Sequence, residues 1–134
     1  MLRTPVGAIA LAAMLLSGCK DSSGPTTSSA IVISAGVPVT GISGSENSRR
    51  FYKVVVPANA TGLTVETDEG SGDVDLLVRY NRLPTLLDST CESFNLGNED
   101  GCEIDNPTAG DWYILLFGAE GGYSGARLTV TITP

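Results

Sequence analysis

From Ile31 to Thr133 the sequence repeats one kind of unit, a short segment rich in Val, Ile, Leu, Thr and Tyr closed off by Gly, Pro, Asn or Asp. Runs this short and this often interrupted specify strands, and no stretch carries the 3.6-residue periodicity of a helix. The segments are Ile31–Ser34, Val37–Ile42, Arg50–Val56, Gly62–Asp68, Val74–Tyr80, Asp88–Phe94, Gly101–Ile104, Trp112–Phe117 and Ala126–Thr133. Closely spaced strands separated by regular turns predict an all-β chain, a jelly-roll-like antiparallel β-sandwich of about eight to nine strands.

Alternation assigns the faces, because successive strand residues point to opposite sides of a sheet. Tyr52, Val54 and Val56 oppose Phe51, Lys53 and Val55; Leu63 and Val65 oppose Thr64 and Glu66; Leu128, Val130 and Ile132 oppose Thr129, Thr131 and Thr133. Each of these strands has an apolar face for the core and a second face for water. The segment Trp112–Phe117 differs. Trp112, Ile114 and Leu116 suit the core, while Tyr113, Leu115 and Phe117 leave a second apolar face that is either covered by a loop or is a contact surface.

Residues 1–18 read as an address. Arg3 supplies a positive start, and Val6–Leu16 is an apolar run of signal-peptide length, too short to span a bilayer. It ends in Leu16-Ser17-Gly18-Cys19, which resembles the lipobox of bacterial lipoproteins: a branched apolar residue, two small residues, then a cysteine. The resemblance implies that Cys19 is lipidated and the signal is cut before it. The partner is then a membrane, reached through a lipid anchor, and Lys20 in place of Asp favours an outer-membrane or cell-surface location. A plain secretory signal with a chance cysteine is the alternative. Residues 19–30, CKDSSGPTTSSA, are too polar to bury apolar area and read as a flexible tether with a reach of about 20 Å. The domain proper is expected over 31–134.

The chain carries 8 Lys and Arg against 15 Asp and Glu, a formal charge of -7, and becomes one unit more negative when the segment bearing Arg3 is removed. Such a surface repels phosphate backbones, so nucleic acid is not an expected partner. There is no His, and Cys19 belongs to the export signal, which removes the usual proton shuttles and nucleophiles. No catalytic residue is assigned. Cys91 and Cys102 remain for the exported domain, where the environment is oxidising, and are expected to bond to each other.

Two acidic groups stand out. Asp68-Glu69-Gly70-Ser71-Gly72-Asp73-Val74-Asp75 gathers four carboxylates around a glycine-rich turn. Asp73 and Asp75, two apart on a strand, share a face; they either chelate a hard cation such as Ca2+ or satisfy amides of their own turn. Asn98-Glu99-Asp100, with Glu103 and Asp105, reads instead as solvation of the disulfide loop. On the basic side, Arg49, Arg50 and Lys53 gather at one strand, and Arg79 and Arg82 flank Tyr80. They either pair with the many carboxylates or, in the case of Arg79, Tyr80 and Arg82 with Tyr113, form a surface for an extended ligand.

Several phrases occur together: Gly36-Val37-Pro38-Val39-Thr40-Gly41-Ile42-Ser43-Gly44-Ser45, Phe51-Tyr52-Lys53-Val54-Val55-Val56-Pro57, Gly72-Asp73-Val74-Asp75-Leu76-Leu77-Val78-Arg79-Tyr80, the two cysteines, and Ala109-Gly110-Asp111-Trp112-Tyr113 with Tyr123-Ser124-Gly125. In this order they resemble the bacterial pre-peptidase C-terminal domain, over about residues 31 to 134. The resemblance implies a non-catalytic β-sandwich, an accessory of secreted proteases related to collagen-binding modules, some of which take calcium. Here a lipobox and tether stand where that arrangement places a peptidase. The expected function is binding or anchoring of extracellular protein or polysaccharide. The alternative is a scaffold that retains a secreted peptidase at the envelope.

Overall fold

The computed structural model describes residues 24–134; the segment read as an export signal, Cys19 and the start of the expected tether lie outside the described residues. Eight strands follow in order: β1 (Ile31–Val32), β2 (Val39–Gly44), β3 (Arg49–Val56), β4 (Gly62–Asp68), β5 (Ser71–Tyr80), β6 (Cys91–Ser93), β7 (Asp100–Asp105) and β8 (Gly110–Thr133). All pairings are antiparallel except β1 with β3, which is parallel. A short 3-10 turn at Thr27–Ser29 precedes β1, so regular structure starts inside the segment read as tether.

The hydrogen-bonded sheet is continuous, and β8 folds it into two layers. Residues 110–118 of β8 lie between β3 and β5, with β1 and β6 at the outer edges. Residues 123–133 lie between β2 and β4, with β7 beyond β4. At the corner, four residues of β8, 119–122, lie opposite the single residue Asp73 of β5, because Val74 pairs with Gly118 and Gly72 with Tyr123. An insertion of this kind breaks the ladder and bends the strand.

Glycine makes the corner possible. A Cβ on Gly118 would collide with the carbonyl oxygen of Ser45, where the β2–β3 turn docks: the Asn47 N–H donates to the Gly118 carbonyl at 2.8 Å and the Gly118 N–H to the Ser48 carbonyl at 3.0 Å. Gly122 combines a φ of 75° with a close approach to the Gly44 carbonyl, a backbone state and a space that only glycine suits.

The inward faces meet in one core. Tyr52, Val54 and Val56 of β3, Val74, Leu76 and Val78 of β5, and Trp112, Ile114 and Leu116 of β8 face Leu63 and Val65 of β4, Leu128 and Val130 of β8, and Cys102 of β7. Burying each such aliphatic side chain contributes about 1.5–3 kcal/mol. The alternation expected for β3, β4 and both halves of β8 is observed. The second apolar face of residues 112–117 is covered: Phe51, Leu77 and Leu115 form a small outer cluster on which Ala30, Leu83 and Phe117 pack.

Several expected segments differ from the observed strands. Trp112–Phe117 and Ala126–Thr133 are parts of one strand, since the glycines between them bend the chain without ending its pairing. Asp88–Phe94 contributes only Cys91–Ser93, because Thr85 and Asp88 instead close a tight turn on each other. Val37–Ile42 shifts to Val39–Gly44, with Val37 and Pro38 in the approach.

Candidate functional site

The end of the sandwich between β5 and β7 gathers the acidic residues. The β4–β5 turn passes through Glu69, at a φ of 63°, and its free carbonyls are held by one side chain. Asn98 donates its amide to the carbonyls of Glu69 (2.9 Å) and Ser71 (3.0 Å) and accepts the Val74 N–H at 3.0 Å. Asp100, beside it in β7, has 4% of its surface exposed; its N–H donates to Thr67 Oγ1, and its Oδ1 accepts the Asn95 N–H at 3.1 Å. Asn98 and Asp100 are therefore buried structural groups, not the solvating loop expected from the sequence.

Two oxygens here, Asp73 Oδ1 and Asp100 Oδ2, are buried without a hydrogen-bond partner. Burial pushes the Asp100 carboxyl up to about 7, with the charges of Asp75 and Asp73 adding to the rise against the Asn95 amide. Burial and then the neighbouring Asp73 charge push Asp75 up to about 6. The donors are all oxygen, the chemistry that suits a hard cation such as calcium. Among the described residues, no three carboxylates or thiols converge closely enough to hold a metal ion as they stand.

On the same turn, Arg127 of β8 binds Asp68 through a forked pair, Nε to Oδ1 at 2.9 Å and Nη2 to Oδ2 at 2.7 Å, and reaches Glu69 at 3.1 Å. That hydrogen bond holds the Asp68 carboxyl below its ordinary range. The acidic turn thus divides: Asp68 and Glu69 are paired with a cation from β8, while the charges of Asp73 and Asp75 act on the buried Asp100.

The residues read as a ligand surface do not share one face. Arg79 and Tyr80 are neighbours on β5 and point to opposite sides. Tyr80 lies against Trp112, ring centroids 5.3 Å apart, and its hydroxyl donates to the Ala109 carbonyl at 3.2 Å; the Trp112 indole donates to the Thr108 carbonyl at 2.8 Å. Both aromatics thereby hold the turn entering β8. Arg79 binds Asp88 at 2.6 Å. Tyr113, across from Arg79, is only 5% exposed, under the cover of the outer face. Arg82 is exposed. Among the other basic residues, Lys53 pairs with Asp111 at 3.6 Å, the Arg50 guanidinium donates to the Ser43 carbonyl, and Arg49 lies over the Phe117 ring.

Cys91 and Cys102 are bonded as expected, which joins the β6 edge of one layer to β7 of the other and closes the side of the sandwich next to Asp100. Cys19 lies outside the described residues.

Residues 48–118, running from the end of the β2–β3 turn to the corner of β8, match the family described as the bacterial pre-peptidase C-terminal domain. The chain belongs to that family. This pre-peptidase C-terminal domain is 36% identical over 96 residues to the alkaline serine exoprotease A of Vibrio alginolyticus, covering 72% of this chain and 18% of that protein. It is 33% identical over 111 residues to the virulence metalloprotease of Vibrio anguillarum, covering 83% of this chain and again 18% of the relative. The chain therefore spans under a fifth of the length of these relatives. Its fold resembles that of the pre-peptidase C-terminal domain of collagenase from Bacillus anthracis, with a TM-score of 0.58 at 14% identity, covering 82% of this chain and 100% of that one.

Proposed function

We propose that this chain is a non-catalytic binding module that works outside the cytoplasm, held at a membrane through an acylated Cys19, and that it engages extracellular protein or polysaccharide. One observation carries the reading: the same module accompanies a serine exoprotease and a metalloprotease, whose bond-breaking chemistries differ, while covering only 18% of either. What such relatives share through this segment is separate from their peptidase chemistry. The absence of His from the sequence supports the same conclusion.

Extracellular protein is the favoured ligand class. Among the described residues, the exposed aromatics are Tyr80 and Phe94, on separate elements, whereas Arg82, the open flank of Tyr80 and the strand edges suit an extended polypeptide. A second reading, a scaffold that retains a secreted peptidase at the envelope, draws on the peptidases that carry this module in the relatives. Export is part of both.

Retention of the full chain on immobilised collagen, with cellulose and chitin alongside, tests the first reading; a flow-through profile identical to that of an inert protein on every matrix would remove it. Co-purification of a peptidase from the native envelope supports the second. Hydrolysis of a substrate panel by the pure protein, abolished by Asp73→Ala, overturns both.

Calcium belongs to the proposal through Asp73 and Asp75, whose charges also act on the buried Asp100. When bound it would supply positive charge to oxygens that now lack partners. The expected result is a melting temperature that rises in millimolar Ca2+ and falls with chelator, an effect lost in Asp73→Asn; a melting temperature unmoved by either reagent excludes the cation.

A further inference from the structure

The loop between β5 and β6 presents two leucines at a rigid tip. Leu87 is 98% exposed and Leu86 39%. The tip is a two-residue turn: the Thr85 N–H donates to the Asp88 carbonyl at 2.9 Å, the Asp88 N–H returns to the Thr85 carbonyl at 3.1 Å, and the Leu87 N–H donates to Thr85 Oγ1. Arg79 clamps its base from the sheet, donating to Asp88 Oδ2 at 2.6 Å and to the Leu83 carbonyl at 3.4 Å. Leucines held outward this way have already lost the loop entropy that a flexible segment would give up on binding.

Where the chain leaves the domain decides what the tip meets. Ala30 and Leu83 pack on the same outer cluster of Phe51, Leu77 and Leu115, so the chain enters the described fold, on the side of Cys19 in sequence, at the face that Leu83 covers. Val32, on the same side of its strand as Ala30, is 65% exposed and extends the apolar area beside that exit. Resting on the anchoring reading above, we propose that this outer face is a bilayer-docking surface, with Leu86 and Leu87 inserted among the acyl chains of the membrane that holds Cys19.

A chain of negative formal charge gains nothing from anionic headgroups, so insertion of uncharged leucines is the contact available to it. Moving one exposed leucine into an apolar phase changes a partition coefficient by about tenfold or more. An anchored domain is already concentrated at the surface, so even this modest gain fixes its orientation. The second apolar protrusion, Leu96 at 92% exposure in the disulfide loop, lies at the opposite end of β6 and is an internal control.

The full chain, made with its own export segment, is extracted and reconstituted into phosphatidylcholine vesicles with and without brominated acyl chains. Mass spectrometry of the N-terminal peptide reports acylation of Cys19 independently. L87W and L96W each add an indole to the one native tryptophan, the buried Trp112. The L87W emission is expected to shift blue and to be quenched by bromine several-fold more than that of L96W. Equal or absent quenching on an acylated protein overturns the docking surface and leaves the anchor standing, as it would if the tip served a protein pocket. An unmodified Cys19 overturns the anchoring reading and the surface with it.

Discussion

Asp100 shows how one carboxyl changes its character when the sheets close over it. Its sequence neighbours Asn98 and Glu99 place it in a hydrophilic run, and nothing local marks it as buried; that follows from β7 pairing with β4 and packing near β5, contacts between distant segments. Asp73 and Asp75 were legible as a pair because strand alternation puts them on one face, and the buried carboxyl on which their charges act was not. The same limit applies to Leu115, on the second apolar face of β8, whose cluster is packed by Leu83 and Ala30 in segments without strand character. The carboxyls of Asp75 and Asp100 hold protons more tightly in the folded chain than in the unfolded one, up to about 6 and about 7. Their contribution to stability is fully present below about pH 4, where both states are protonated, and is lost as pH rises through the folded values. Asp68, held in the opposite direction, stays ionised over that window. The melting temperature in calcium-free buffer is therefore expected to fall by several degrees between pH 5 and pH 8. Asp100→Asn is expected to melt higher than the parent at pH 8 and to flatten the profile, and thermal scans in which the variant melts lower at pH 8 would contradict this account.

At the scale of elements, strand positions followed from β-branched runs between turn residues, and Gly62–Asp68 is observed with the bounds expected of it. Elements governed by long-range contacts were harder to read. A glycine-rich stretch looks locally like a turn, yet residues 119–122 are an insertion within β8, recognisable only once β5 and the β2–β3 turn lie beside it. Gly118→Ala brings a methyl against the Ser45 carbonyl, and the turn cannot retreat without breaking two backbone hydrogen bonds. The expected cost is about 2–4 kcal/mol, of the order seen for overpacking combined with backbone displacement. Urea titration checks it, with Gly121→Ala, at an open position of positive φ, separating collision from backbone strain. A Gly118→Ala curve overlaying that of the parent would remove the corner from this explanation.

For the molecule as a whole, the class of fold and the disulfide were both legible, the first from periodicity and the second from Cys91 and Cys102 being the two cysteines outside the segment read as an export signal. What the link connects was not. By tying β6 to β7 it joins the two layers on the side away from β2. Replacing both cysteines with serine is expected to cost about 3 kcal/mol in the chain-entropy model for a loop of this length, visible as a lower denaturation midpoint, and to expose the Asp100 end of the sandwich first in hydrogen exchange. Loss of protection beginning at β2 instead would place the weak side elsewhere.

The long β8 also governs when folding can happen. It supplies the neighbour that β2, β3, β4 and β5 each require, so neither layer can close before residues 110–133 have been synthesised. Chains dominated by such distant pairings fold late and slowly. A nascent chain of this kind leaves the ribosome as an open thread, and acquires its shape only once its last strand is free to pair.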